Sequence, residues 1–120
     1  MYEKKNFTLL RCPVEKGLSM LGGKWKSRIL CVLAQQGSIR YGQFKQEMTN
    51  ITDTALSSAL KELIQDGLVN RKQYNEVPLR VEYELTSYGL AAVRLLRQIA
   101  NWADGSIPTE LSRGEMPLCL

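Results

Sequence analysis

The side chains best placed to do chemistry lie on one stretch, Asp53 to Asp66, DTALSSALKELIQD. On a helical wheel Leu56, Ala59, Leu60, Leu63 and Ile64 share one side, at offsets of three, four, seven and eight. The opposite side carries Thr54, Ser57, Ser58, Lys61 and Gln65. Short hydroxyls, an amide and an ammonium can exchange hydrogen bonds with base edges or phosphates, so this is the candidate reading face of a nucleic-acid-binding helix. The same residues would also suit a plain solvated face, or one that docks a protein partner.

Catalytic chemistry has little to work with. The chain contains no histidine, which removes the usual base of Ser-His-Asp and Cys-His sites. Cys12, Cys31 and Cys119 are widely spaced and form no CxxC, so no metal site is expected, nor any cofactor or enzymatic activity. Cys12 stands out among them. It precedes Pro13, a residue suited to the first position of a helix, where amide dipoles converge, and Arg11 and Lys16 are close in sequence. Its thiolate is thereby favoured, making it a candidate redox sensor for an oxidant or a small reactive electrophile. The plainer alternative is a half-buried thiol with no sensing role. Cys31 falls off the apolar face of its own helix.

Several elements must position these groups. Val14, Leu18 and Leu21 predict a first helix buried on one side, ended by Gly22 and Gly23. A second helix is expected from Lys24, with Trp25, Ile29, Val32 and Leu33 on one face and Gly37 at its end. Lys24, Lys26 and Arg28 at its start suit either solubility or contact with phosphates. Ser38 to Arg40 read as a short extended link. Phe44 and Met48 mark a brief helix joined to the Asp53–Asp66 helix by a tight turn, with Thr52 as N-cap and Gly67 as terminator. Two helices and a short turn suggest helix-turn-helix.

After Gly67 the period changes to two: Leu68 to Tyr74 and Arg80 to Leu85 predict a β-hairpin whose loop contains Pro78. Arg71, Lys72 and Arg80 on this wing (69–85) are placed for phosphates or a minor groove, although Arg80 could instead pair with Glu82 or Glu84. Thr86 caps a final helix bearing Leu95, Ile99 and Trp102. That apolar surface exceeds what so small a core can cover, which points to a second subunit.

The 120 residues allow one domain, expected over residues 1–105, with 106–120 a loosely ordered tail. Net charge is +4, concentrated N-terminally: residues 1–40 carry eight Lys/Arg against Glu3 and Glu15. An asymmetric basic excess suits a polyanion. No apolar run approaches the ~18 residues of a membrane span, and the N-terminus lacks a signal-peptide stretch, so no membrane partner and a cytoplasmic location are expected.

In order along the chain, CPVEKGLSMLGGKWKSRIL (Cys12 to Leu30), RYGQFKQEM (Arg40 to Met48), ITDTALSSALKELIQDGLVNRKQY (Ile51 to Tyr74) and EVPLRVEYELTSYG (Glu76 to Gly89) resemble the HxlR family of bacterial, MarR-like transcriptional regulators. The resemblance implies a mainly α winged helix-turn-helix with a small β-hairpin. It further implies a homodimer on an inverted-repeat operator of double-stranded DNA, with the 53–66 helix in the major groove and the wing on flanking backbone or minor groove. Dimerisation would involve the terminal helices, here through Leu18, Leu95, Ile99 and Trp102. In several members similar to this chain the CPV cysteine senses oxidants or electrophiles, sometimes through an intersubunit disulfide, and Cys119 is a conceivable resolving partner. Gly42 stands where a capping serine is common, which weakens the start of the first motif helix.

Overall fold

The structure is a computed structural model that describes residues 12–105. The tail from residue 106, with Cys119, lies outside the described residues. Seven elements follow in order: α1 (Pro13–Leu21), α2 (Lys26–Gln36), α3 (Tyr41–Glu47), α4 (Asp53–Gln65), β1 (Val69–Tyr74), β2 (Arg80–Leu85) and α5 (Ser87–Ala103). The mainly helical architecture with one hairpin is the expected one.

Helix α2 is the centre of the fold, packing against α3, α4, α5 and β2. It starts at Lys26, two residues later than the periodicity suggests, with Trp25 as its N-cap residue. A helix enclosed on several sides buries more than one stripe. Ile29, Leu30 and Leu33 are fully enclosed, and Cys31 is buried as well, which corrects its expected place off the apolar face. Phe44 and Met48 of the α3 region, Leu56, Leu60 and Leu63 of α4, and Leu68, Val69 and Tyr83 of the hairpin complete one core. Each such side chain contributes on the order of 1.5–3 kcal/mol through the apolar area it withdraws from water.

The ends of α4 are set by local chemistry. Thr52 Oγ1 accepts from the Ala55 amide at 3.1 Å, using one of the unpaired donors of the first turn. At the other end Gly67 takes φ +80°, and its amide donates to Ile64 O while the Leu68 amide donates to Leu63 O. This paired arrangement satisfies the last carbonyls and turns the chain directly into β1. The start of α3 is likewise secured: Gln43 Oε1 accepts from the Arg40 amide at 2.9 Å. Arg40 is the N-cap residue and Gly42 lies inside the helix, so the glycine does not occupy the capping place expected of it.

The hairpin is antiparallel, registered from Val69↔Leu85 to Tyr74↔Arg80. Ile39 adds a single bridge to Tyr83, with both backbone hydrogen bonds made, at 3.0 and 2.8 Å. The short extended link before α3 thus becomes a third, one-residue rung of the sheet, and Phe44 stacks edge-on against Tyr83 at 5.9 Å. Wing and helix-turn-helix are locked together at this point.

The terminal helices behave differently. No residue of α1 is buried, and Val14 and Leu18 are exposed, contrary to a helix buried on one side. Its C-terminal end faces α5 across a shallow cleft lined by Gly17, Met20 and Leu21 on one side and Tyr88, Ala91 and Leu95 on the other, and Leu21 touches the core. Helix α5 docks through Gly89 and Val93, while Leu95, Ile99 and Trp102 remain 50%, 41% and 70% exposed.

Candidate nucleic-acid interface

The reading face of α4 is open. Thr54, Ser57, Ser58, Lys61 and Gln65 are all exposed, while Leu56, Ala59, Leu60 and Leu63 on the opposite side are buried. A groove of about 290 Å³ runs beside this face, lined by Ser57, Lys61 and Gln65 of α4, Tyr41 of α3, and Arg71 and Tyr83 of the hairpin. Strand register explains the meeting: Arg71 lies directly opposite Tyr83, so both side chains leave the same face of the sheet. Ser57, Lys61 and Arg71 therefore line one groove, a hydroxyl and two cations. Lys61 has no ion-pair partner among the described residues, and Arg71 has only a 3.4 Å contact from Nη1 to the Gln73 side-chain oxygen.

The other cations are partly or wholly committed. Lys72 Nζ pairs with Glu84 at 3.1 Å, and that hydrogen bond raises the lysine pKa. Arg80 lies 3.8 Å above the Tyr74 ring and makes two contacts to the Glu76 carboxylate, at 2.8 and 3.1 Å, as well as one to Glu82. Hydrogen bonds from Arg80 hold Glu76 below the usual carboxylate range, and Ser38 followed by Arg80 does the same for Glu82. The Arg80 guanidinium thus braces the wing from within, one partner being the expected Glu82 and the other the loop residue Glu76. Lys24 is exposed, with its ammonium 5.0 Å over the Trp25 ring.

Lys26 departs from expectation. Its side chain is buried and its Nζ sits 2.7 Å from Glu62 Oε1, tying the start of α2 to α4 from the core side. It is thereby withdrawn from the exposed surface. The pairing joins residues far apart in sequence on two helices, and no helical wheel of either shows it.

Three further residues belong to the site. Lys45 Nζ contacts Asp53 Oδ1 at 2.7 Å, which holds the aspartate below its usual range and raises the lysine. The Tyr41 hydroxyl reaches both Asp53 and Ser57. Tyr41 and Lys45 are visible in the sequence as an i, i+4 pair on α3, but the crossing of α3 over the first turn of α4 is a tertiary fact.

Cys12 is the exposed N-cap residue of α1, with Pro13 following. Among the described residues no group of three His, Cys, Asp or Glu could hold a metal ion, and no helix is long and apolar enough to cross a membrane.

Comparison with known proteins is consistent across sequence and structure. Residues 20–111 match the model of the HxlR-like helix-turn-helix family. The uncharacterized HTH-type transcriptional regulator YdzF of Bacillus subtilis (strain 168) is 42% identical over 92 residues, spanning 77% of this chain and 84% of that protein. Among solved structures, the HTH-type transcriptional regulator ytcD superposes with a TM-score of 0.75 at 41% identity, over 80% of this chain and 97% of its own. The redox regulator HypR in its oxidized form superposes with a TM-score of 0.72 at 36% identity, covering 78% of this chain and 96% of its own.

Proposed function

The chain belongs to the HxlR-like helix-turn-helix family of transcriptional regulators, and from that premise we propose that it acts as a homodimer on an inverted-repeat operator in the cytoplasm. Helix α4 enters the major groove and the hairpin lies on the flanking backbone or minor groove. The observation that carries this reading is the exposed α4 face whose Ser57 and Lys61 share a groove with Arg71 of the wing. Hydroxyls face bases while Lys61 and Arg71 follow the backbone, a division of labour between specifying and positioning contacts. Thr54 extends the reading face toward the start of α4, where unpaired amides favour a phosphate, and Ser58 widens it beside Ser57. Lys24, just before α2, and the exposed Arg28 within it are the remaining phosphate candidates there, and Lys72 and Arg80 contribute less, because their charges are already met by glutamates.

The second subunit is supported by the apolar faces of α1 and α5, where Leu18, Leu95, Ile99 and Trp102 are exposed. A two-fold dimer reads two half-sites about one helical turn, roughly 34–36 Å, apart. Hydroxyl-radical footprinting on the DNA upstream of its own gene tests this: two protected patches on one face of the duplex are expected. A single continuous patch no longer than one half-site contradicts the dimeric reading.

A second reading is a thiol switch at Cys12. It is favoured by an exposed thiol at the N-cap of α1, a helix we place at the subunit interface, so that modification there reaches the dimer geometry. The similarity to a protein described as a redox regulator supports it. Diamide is expected to alter operator binding of the wild type and to leave Cys12→Ser unaffected. An equal response in both proteins contradicts the switch.

A further inference from the structure

Where α3 crosses the start of α4, the hydroxyls of Tyr41 and Ser57 meet at 3.1 Å. The same phenolic oxygen lies 3.2 Å from the Asp53 carbonyl oxygen and 3.4 Å from Asp53 Oδ1. Two of its three neighbours are therefore acceptors only, one a carbonyl and the other a carboxylate paired with Lys45 at 2.7 Å. A phenol has a single hydrogen to give. Aimed at Ser57, that hydrogen leaves phenolic lone pairs facing two acceptor oxygens. Aimed at the Asp53 carbonyl, it is accepted there while Lys45 serves the carboxylate, and the hydrogen of Ser57 then fills the phenolic lone pair. Ser57 held in this way has committed its only hydrogen to Tyr41. It faces the groove with lone pairs alone.

We propose that Tyr41 is a positioning residue that turns Ser57 into an acceptor-only reader, so that Ser57 selects a base carrying an exocyclic amine over one presenting a keto oxygen. In the major groove the amines are adenine N6 and cytosine N4, and the keto oxygens are guanine O6 and thymine O4. An unrestrained serine tolerates either class, because its hydroxyl can donate or accept. The inference rests on α4 being the recognition helix. Tyr41 is suited to the task because its ring packs partly buried against the core, which fixes where the hydroxyl stands. Its geometry joins α3 to α4 across sixteen residues of sequence.

The test is selection of bound sequences from a random duplex library by the wild type, Tyr41→Phe, Ser57→Ala and the double variant, followed by anisotropy titrations. Phenylalanine keeps the packed ring, and thermal melting verifies that each variant folds. The wild type is expected to prefer adenine or cytosine over guanine or thymine at one position of each half-site by about fivefold, the scale of one net hydrogen bond. Tyr41→Phe should reduce that preference to within about twofold while leaving other positions unchanged, as one lost hydrogen bond would. Ser57→Ala should do the same, and the double variant should go no further. Retention of the full preference in Tyr41→Phe or in Ser57→Ala overturns the proposal, as does a uniform loss of affinity with base preference intact. If the wild type selects no sequence at all, the recognition-helix reading falls and takes this inference with it, so the wild-type result separates the two failures.

Discussion

Lys61 and Lys26 are both lysines that a charge count offers to a phosphate, yet their settings send them to different work. Lys61 is exposed beside Arg71, without an ion-pair partner among the described residues. Lys61→Ala is therefore expected to weaken DNA binding and reduce the salt slope by about one per site, whereas Arg94→Ala on α5 should do neither; anisotropy at several salt concentrations measures both. Lys26 is buried against Glu62, so Lys26→Ala should act on folding. Glu62 keeps 35% of its side chain in water, which limits the cost of losing this pair to about 1–2 kcal/mol, read by denaturant melting. The amphipathic pattern of α4 was legible because burial repeats with the helix. The fate of each cation was not, since it depends on which distant carboxylate the fold brings within reach. Arg80 shows the same limit. Its partners Glu76 and Glu82 both titrate below the usual carboxylate range in the folded state, so the stabilisation they provide is present above that range and is lost as the pH falls through their depressed values. The melting-temperature difference between wild type and Arg80→Gln should accordingly shrink between pH 7 and pH ~3, where glutamates near their ordinary pKa of ~4.3 are protonated. A difference that stays constant with pH would show that the carboxylates are not its source.

At the scale of elements, the end of α4 and the start of α5 meet at one junction. Thr86 Oγ1 accepts from the Gly89 amide at 2.9 Å and donates to the Gly67 carbonyl at 2.7 Å, so one hydroxyl caps α5 and holds the end of α4. A Cβ on Gly89 would stand 2.2 Å from the Leu68 carbonyl oxygen, which is backbone and cannot yield cheaply. Gly89→Ala should destabilise by about 2 kcal/mol or more through overpacking, and Thr86→Ala by about 1 kcal/mol through loss of the cap. Chemical denaturation measures both, and a neutral Gly89→Ala would mean that α5 sits further from this junction. The caps at Thr52, Gly67 and Thr86, the hairpin and the order of helices were all readable, because each is written in neighbouring residues. The late start of α2, the burial of Cys31 and the bare apolar stripe of α1 were not. They follow from how many neighbours a helix acquires, and local periodicity carries no count of those.

At the scale of the whole molecule, the helix-turn-helix, the bridge at Ile39 and the wing pack around one core, while α1 and the outer face of α5 leave Val14, Leu18, Leu95, Ile99 and Trp102 exposed. Trp102 is the largest of these and α5 the longest helix. Trp102→Glu places a charge within the proposed interface and should shift the protein from dimer to monomer in sedimentation equilibrium, with DNA affinity falling because one half-site is lost. Resemblance to a dimeric family suggested this surface from the sequence, and exposure of the residues agrees with it. The most direct test of the account is a salt series of binding to the protein's own upstream DNA against random duplex. The account predicts a specific affinity at least about 10³-fold above the nonspecific one, with log K falling with log salt at a slope near −5, the signature of roughly six neutralised phosphates. Equal affinity for both duplexes, or a slope near zero, would contradict it.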